Sequence, residues 1–171
     1  MFPRTMSVFA DRRQAGRLLS RPLEKYASEP VTVVALSRGG VPVAYEIASR
    51  LGAPLVGLDQ AEALDLSGRV LILVDDGVDS GVLMRGAIAA FRPRQPRRLI
   101  AAVPISAPAT CKALGKLVDE MICAVTPDPF VNIALWYDDF SETSDDELRR
   151  MLNAPAVGHG SARTRAASVR T

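Results

Sequence analysis

The segment Arg69–Phe91, RVLILVDDGVDSGVLMRGAIAAF, constrains the fold more than any other stretch. Five apolar residues, Val70 to Val74, run without polar interruption into two carboxylates, Asp75 and Asp76. A run of this kind predicts a strand buried on both faces, as in a parallel sheet. The loop Gly77-Val78-Asp79-Ser80-Gly81 follows, and then Met84, Ala87, Ile88 and Phe91 recur at helical spacing. The pattern is therefore strand, acidic end, small-residue turn and helix. The first turn of such a helix has unpaired N–H groups and a partial positive charge, which suit a phosphate. Gly77 and Gly81 let the backbone curl close to it. Carboxylates at the strand end accept hydrogen bonds from sugar hydroxyls or hold Mg²⁺. One short segment thus offers grips for a phosphorylated sugar.

A second unit of the same kind lies upstream. Val31–Leu36 predicts a strand, Ser37-Arg38-Gly39-Gly40 a turn, and Pro42 a helix whose face carries Val43, Ile47 and Leu51, with Gly52 as its C-cap. Glycine N–H groups beside a guanidinium suit a pyrophosphate, although the same residues also make a plain tight turn with a surface arginine. Further strands are expected at 54–58, 99–103 and 121–125, and a helix over 107–115 capped by Ser106 with Pro108 in its first turn. Residues 7–27 read as a helix broken near Pro22, with Arg12, Arg13, Arg17 and Lys25 on its wet side. The arginines at 92, 94, 97 and 98 read as a solvated connector. Ser144–Glu147 forms a capping box for a last helix that buries Leu148, Met151 and Leu152. Alternating strands and helices predict an α/β, doubly wound parallel sheet, with ligands at the C-terminal strand ends. Residues 1–153 form one domain in this reading. Residues 154–171, which hold the single histidine, His159, form a basic, disordered tail.

The charge pattern narrows the function classes. The tail carries Arg163, Arg165 and Arg170, and without it 18 basic residues face 19 acidic ones. The body has no basic bias toward nucleic acid. No apolar run approaches the roughly 18 residues of a membrane span. The N-terminus has no signal-type apolar core, so a cytoplasmic location is expected. Cys111 and Cys123 show no metal-ligand spacing and are expected as reduced thiols, Cys123 in the core.

The stretch VDDGVDSG resembles the signature of the type I phosphoribosyltransferases, a family that binds 5-phosphoribosyl-1-pyrophosphate (PRPP). FADRRQAGRLL, ALSRGGVPVAYEIASRLGAPL and PFVNIALWYDDFSETSDDEL resemble a bacterial subgroup of that family, so the likeness covers most of residues 7–150. The resemblance implies a small hood built from the terminal segments. It assigns Asp75 and Asp76 to the ribose hydroxyls, and to Mg²⁺ through those hydroxyls or water. Gly77, Val78, Asp79, Ser80 and Gly81 would wrap the 5′-phosphate, and Arg38, Gly39 and Gly40 the pyrophosphate. Asp79 would serve as base toward a purine ring nitrogen, unless it is only a turn former. Phe130 and Asp138 would bind the nucleobase. Two departures stand out. Leu83 replaces the second hydroxyl residue of the signature, and residues 59–69 are much shorter than the interval that normally holds further strands and a closing loop. The implied activity is phosphoribosyl transfer to a nitrogen base with release of pyrophosphate. The implied partners are PRPP and a nucleobase or nucleotide, with a homodimer as one possible assembly. The alternatives are a non-catalytic PRPP- or nucleotide-binding relative and an unrelated doubly wound binding domain.

Overall fold

The computed structural model describes residues 7–156. The proposed tail beyond Ala156, with His159, lies outside the described residues. Five parallel strands form one sheet: β1 (Val31–Ala35), β2 (Leu55–Gly57), β3 (Val70–Val74), β4 (Arg98–Ile105) and β5 (Glu120–Val125). Their spatial order is β2-β1-β3-β4-β5. In register, Val34 pairs with Val56 and with Leu73, and Ile72 pairs with Ile100. The chain leaves β1 outward to β2 and then returns past it to β3. The strand order reverses between β1 and β3, the place where open α/β sheets form a crevice for ligands.

Strand pleating divides the core. Val70, Ile72 and Val74 face one layer with Leu19, Leu23, Ile47, Leu148 and Met151. Leu71 and Leu73 face the other, with Met84, Ile88, Phe91 and Leu114. The first layer consists of α1 (Arg12–Leu23), α2 (Gly40–Leu51) and α6 (Asp145–Asn153), and the second of α3 (Leu58–Glu62), α4 (Val82–Phe91) and α5 (Pro108–Gly115). Burial on both faces is why the apolar runs carry no alternation.

Local signals explain most boundaries. Asp11 caps α1 by accepting from the Gln14 amide at 2.7 Å, so the helix begins at Arg12 rather than at residue 7. Pro22 lies in the last turn and does not break the helix, because only one carbonyl near the end loses its partner there. Gly52 closes α2 in the left-handed conformation, φ 61°. Ser144 caps α6 by accepting from the Glu147 amide at 3.3 Å. Ser106 does not cap α5. It is fully buried, Ala107 holds the cap position, and the Ser106 hydroxyl donates to the Ala107 carbonyl.

The cysteines depart from expectation. Cys111 of α5 and Cys123 of β5 form a disulfide. β5 is an edge strand, so Cys123 is half-buried under α5 instead of enclosed in the core. Of the connector arginines, Arg92 pairs with Asp119, and Arg94 donates to the carbonyls of Ala61 and Leu64, tying α3 to the end of α4. Among the described residues no helix is long and apolar enough to cross a membrane.

Candidate functional site

The two sequence-predicted loops meet at the crevice between β1 and β3. Asp75 is buried at the end of β3, with 8% of its surface exposed. Its Oδ1 accepts from the Ser37 hydroxyl at 2.6 Å and from the Asp76 amide at 2.9 Å. Burial pushes the Asp75 carboxyl up to about 7; the Asp76 charge adds to this and the Ser37 hydrogen bond opposes it. Asp76 Oδ2 accepts from Arg12 Nε at 2.9 Å, with only 11% of the arginine and 14% of the aspartate side chain exposed. Apart from the contact between the two carboxyls themselves, the second oxygen of each, Asp75 Oδ2 and Asp76 Oδ1, has no hydrogen-bond partner among the described residues. The site therefore presents two adjacent acceptors.

The glycines of the first loop have a use that the sequence did not reveal. A Cβ on Gly39 would stand 2.2 Å from Asp76 Oδ2, and one on Gly40 would stand 3.0 Å from the Val74 carbonyl oxygen and 3.1 Å from Asp75 Oδ1. The turn is glycine-rich because the acidic pair packs directly against it. The Gly40 amide is already committed to Ser37, while that of Gly39 has no partner among the described residues. Arg38 is tied outward, to Asp145 at 2.8 Å and to the Thr143 carbonyl at 3.1 Å. It thus joins the turn to the start of α6.

The second loop is held by β4 and α5. Val78 bridges to Ser106, resuming the β3–β4 pairing beyond the acidic residues. Thr110 Oγ1 donates to the Asp79 carbonyl at 2.8 Å. Asp79 and Ser80 are exposed, and the Asp79 carboxylate has no partner among the described residues. Gly81 stands before α4 at φ 81°. Val82, 73% exposed, and Leu83, 45% exposed, open the helix and add no hydroxyl.

The hood forms where the terminal segments meet. The Val8 and Phe9 amides donate to the Trp136 carbonyl, and the amides of Asp138 and Asp139 donate back to Phe9 and Ala10. The rings of Phe9, Tyr137 and Phe140 stack in series at 5.4 Å and 5.1 Å. Tyr137 Oη donates to the Asp76 carbonyl at 2.6 Å, and burial holds this hydroxyl above its ordinary pKa, so it remains a donor. Ile133 lies over Gly77, whose absent Cβ would stand 2.7 Å from it. Of the two predicted base-binding residues, Phe130 is half-buried, while Asp138 is exposed and accepts from the Ser7 hydroxyl. The aromatic residues tied to the acidic pair are instead Tyr137, directly, and Phe140, through Arg12.

Sequence reasoning missed Arg12 and Tyr137. Arg12 read as solvated because its helix is amphipathic. Its position as the first helical residue, beside the segment junction, sets its direction. A cavity of about 540 Å³ opens on the far side of the Ser37–Arg38 turn, between α3 and α6, floored by Leu36, Val41 and Leu148. Asp75 and Asp76 do not line it. Among the described residues no cluster of three or more His, Cys, Asp or Glu side chains is arranged to hold a metal.

Comparison with known proteins agrees with this fold. No family model matches the chain. It is 28% identical, over 86% of its length, to a Mycobacterium tuberculosis protein named "Putative phosphoribosyl transferase". The chain spans 47% of that protein's length. The alignment runs over 208 residues, whereas 86% of 171 is about 147, so about 60 positions of the relative have no counterpart here. The structure is similar to the crystal structure of TT1426 from Thermus thermophilus, with a TM-score of 0.78 and 26% identity over 86% of this chain and 99% of that one. It shares its fold with a hypoxanthine phosphoribosyltransferase from Staphylococcus aureus, at a TM-score of 0.51 and 15% identity over 70% and 76% of the two chains. The chain has the five-stranded α/β fold of the type I phosphoribosyltransferase structures, and its sequence is similar to that of a protein named as a phosphoribosyl transferase.

Proposed function

We propose that the crevice between β1 and β3 binds PRPP and that the protein transfers its phosphoribosyl group to a nitrogen base, with release of pyrophosphate. The observation that carries this reading is the acidic pair packed against Gly39 and Gly40, whose oxygens Asp75 Oδ2 and Asp76 Oδ1 no other described residue engages. Two adjacent acceptors match the vicinal diol of a ribose. Their other oxygens are fixed by Ser37 and Arg12, so the acceptors are aimed before the ligand arrives, which lowers the entropic cost of binding. In this reading the Gly39 amide holds the pyrophosphate end, and Arg38 joins it by leaving its exposed pairing with Asp145. Ser80, Gly81 and the free amides at the start of α4 hold the 5′-phosphate, with Gly77 and Val78 setting the loop's course. Asp79 is exposed, its carboxylate has no partner among the described residues, and it takes the proton of a purine-like base as the new bond forms. Phe130 and Asp138 border the base side.

Mg²⁺ fits this site in company with the ligand's own oxygens, since two carboxylate oxygens are hard donors but too few to enclose it. Bound there, it would neutralise charge on the pyrophosphate and ribose hydroxyls.

The short interval between β2 and β3 favours a second reading, a binding protein that does not turn over. α3 has five residues, and the whole connection from Leu58 to Arg69 leaves little chain for a loop that closes over the sugar and excludes water. Calorimetric titration of Mg-PRPP into the wild type and Asp75→Asn/Asp76→Asn tests the site. Micromolar binding abolished in the double variant supports it, and no binding to the wild type refutes it. A screen of bases for pyrophosphate release then separates an enzyme from a binder.

A further inference from the structure

Three parts of the chain converge on the Arg12 guanidinium. Nε donates to Asp76 Oδ2 at 2.9 Å, Nη1 donates to the Ser141 carbonyl at 2.7 Å, and Cζ lies 3.8 Å from the centroid of the Phe140 ring. A Cβ on Gly39 would stand 3.3 Å from Nε. The side chain thus begins on α1, crosses the hood and ends in the wedge between the first loop and the acidic pair. Nearly nine-tenths of it is buried.

An arginine whose task was only to tie the hood to the sheet would take both carboxylate oxygens in a parallel fork, the stronger arrangement. Here it takes one. Gly39 confines Oδ2 from the other side, so the Asp76 carboxylate is pinned by one oxygen and presents the second. The groove that Arg12 also lines carries Asp11, Asp139, Glu142 and Glu147 beside Arg13, yet the carboxylate that the guanidinium pairs with is Asp76. We infer that Arg12 is a positioning residue that sets the ribose-against-deoxyribose selectivity of the crevice, by fixing Asp76 so that its free oxygen meets a sugar hydroxyl. The inference rests on the proposed phosphoribosyl reading of the site and adds to it the residue that enforces the sugar. The hood segments that carry Ser141 and Phe140 thereby act on the sugar subsite without touching the ligand.

The experiment titrates ribose 5-phosphate and 2-deoxyribose 5-phosphate, each with Mg²⁺, into the wild type, Arg12→Lys and Arg12→Gln, with melting temperatures recorded alongside. A charge-assisted hydrogen bond discriminates by about tenfold to a hundredfold, so the wild type prefers the ribose ligand by that factor. Arg12→Gln loses most of the preference yet keeps its affinity for the deoxyribose ligand, because the 5′-phosphate loop is untouched. Arg12→Lys, which keeps the charge without the planar group, falls between. Equal weakening of both ligands in Arg12→Gln marks a merely structural role and overturns the inference, as does a folded Arg12→Gln that keeps full preference. A wild type with no preference for the ribose ligand refutes the phosphoribosyl reading itself.

Discussion

Replacing Gly39 by alanine separates sterics from backbone strain. Gly39 has φ −66° and ψ −26°, a right-handed conformation open to any residue, so alanine brings no dihedral penalty. Fewer unfolded conformations should even favour the variant by about 0.4–1 kcal/mol. Against this, the new methyl stands 2.2 Å from Asp76 Oδ2 and 2.9 Å from its Cγ. The carboxylate must move by about 1 Å to reach ordinary contact, and the 2.9 Å bond to Arg12 cannot survive that shift. A hydrogen bond between charged groups contributes about 1.5–3 kcal/mol. The net loss is about 1–2 kcal/mol, or roughly 2–8 °C in Tm for a chain of this size. Thermal unfolding followed by circular dichroism measures it. The decisive arm is the Asp76→Ala background, where the obstruction is gone and Gly39→Ala should become neutral or stabilising. An undiminished loss in that background would show that the methyl meets something other than Asp76 and would refute the packing argument.

Other substitutions test the remaining contacts. Gly81→Ala should cost about 1–2 kcal/mol, since φ is 81° and the methyl would lie 3.0 Å from Thr110 Cγ2; denaturant unfolding reads it. Asp75 should shape the pH profile of stability. Its folded pKa, near 7, lies above the unfolded value near 3.8, so the native state holds the extra proton between them and stability falls as pH rises from about 4 to 7. Asp75→Asn should flatten that fall in urea denaturation curves taken across the range. Reducing the Cys111–Cys123 bridge, which closes a loop with a sequence separation of 12, should lower stability by about 2–4 kcal/mol, and a Cys111→Ser/Cys123→Ser variant should unfold alike with and without reductant.

The fold was legible because burial wrote itself into the strands. Val70–Val74 and Val31–Ala35 are apolar at nearly every position, which only a sheet covered on both faces requires. The parallel arrangement followed from the alternation of strands and helices, whereas the order β2-β1-β3-β4-β5 came only with the structure. Both loops of the site were legible for the same reason, since Asp75, Asp76, Arg38 and Gly39 lie at strand ends that the topology must bring together. What stayed hidden depends on contacts between distant segments. Arg12 carries an ordinary surface signature, and its burial comes from Phe140 and Ser141, more than a hundred residues away. Cys111 and Cys123 carry no spacing signal, and their pairing depends on α5 lying over an edge strand. Ser106 looks like a cap because the sequence cannot show that β4 continues to Ile105 and encloses it.

The hidden contacts of the hood have one feature in common: they attach the terminal segments to the β3 loop. Arg12 reaches Asp76 from the N-terminal side, Tyr137 reaches the Asp76 carbonyl from the C-terminal side, and Ile133 lies on Gly77. A sheet built by local βα units supplies acceptors and phosphate grips, but it does not fix where a two-carboxylate cluster points. Once Asp75 loses its proton, near pH 7, the two charges repel and would turn the carboxylates apart. Here Ser37 holds one and Arg12 the other, so the sheet provides one restraint and the hood the second. Trimming the hood should therefore disorder the acidic pair before it unfolds the sheet. Hydrogen exchange of an Arg12→Gln variant should show this as lost protection at Asp76 and Val78, with Leu71–Leu73 unchanged. Uniform loss across β3 would mean that the hood supports the core as a whole and that the site has no separate anchorage.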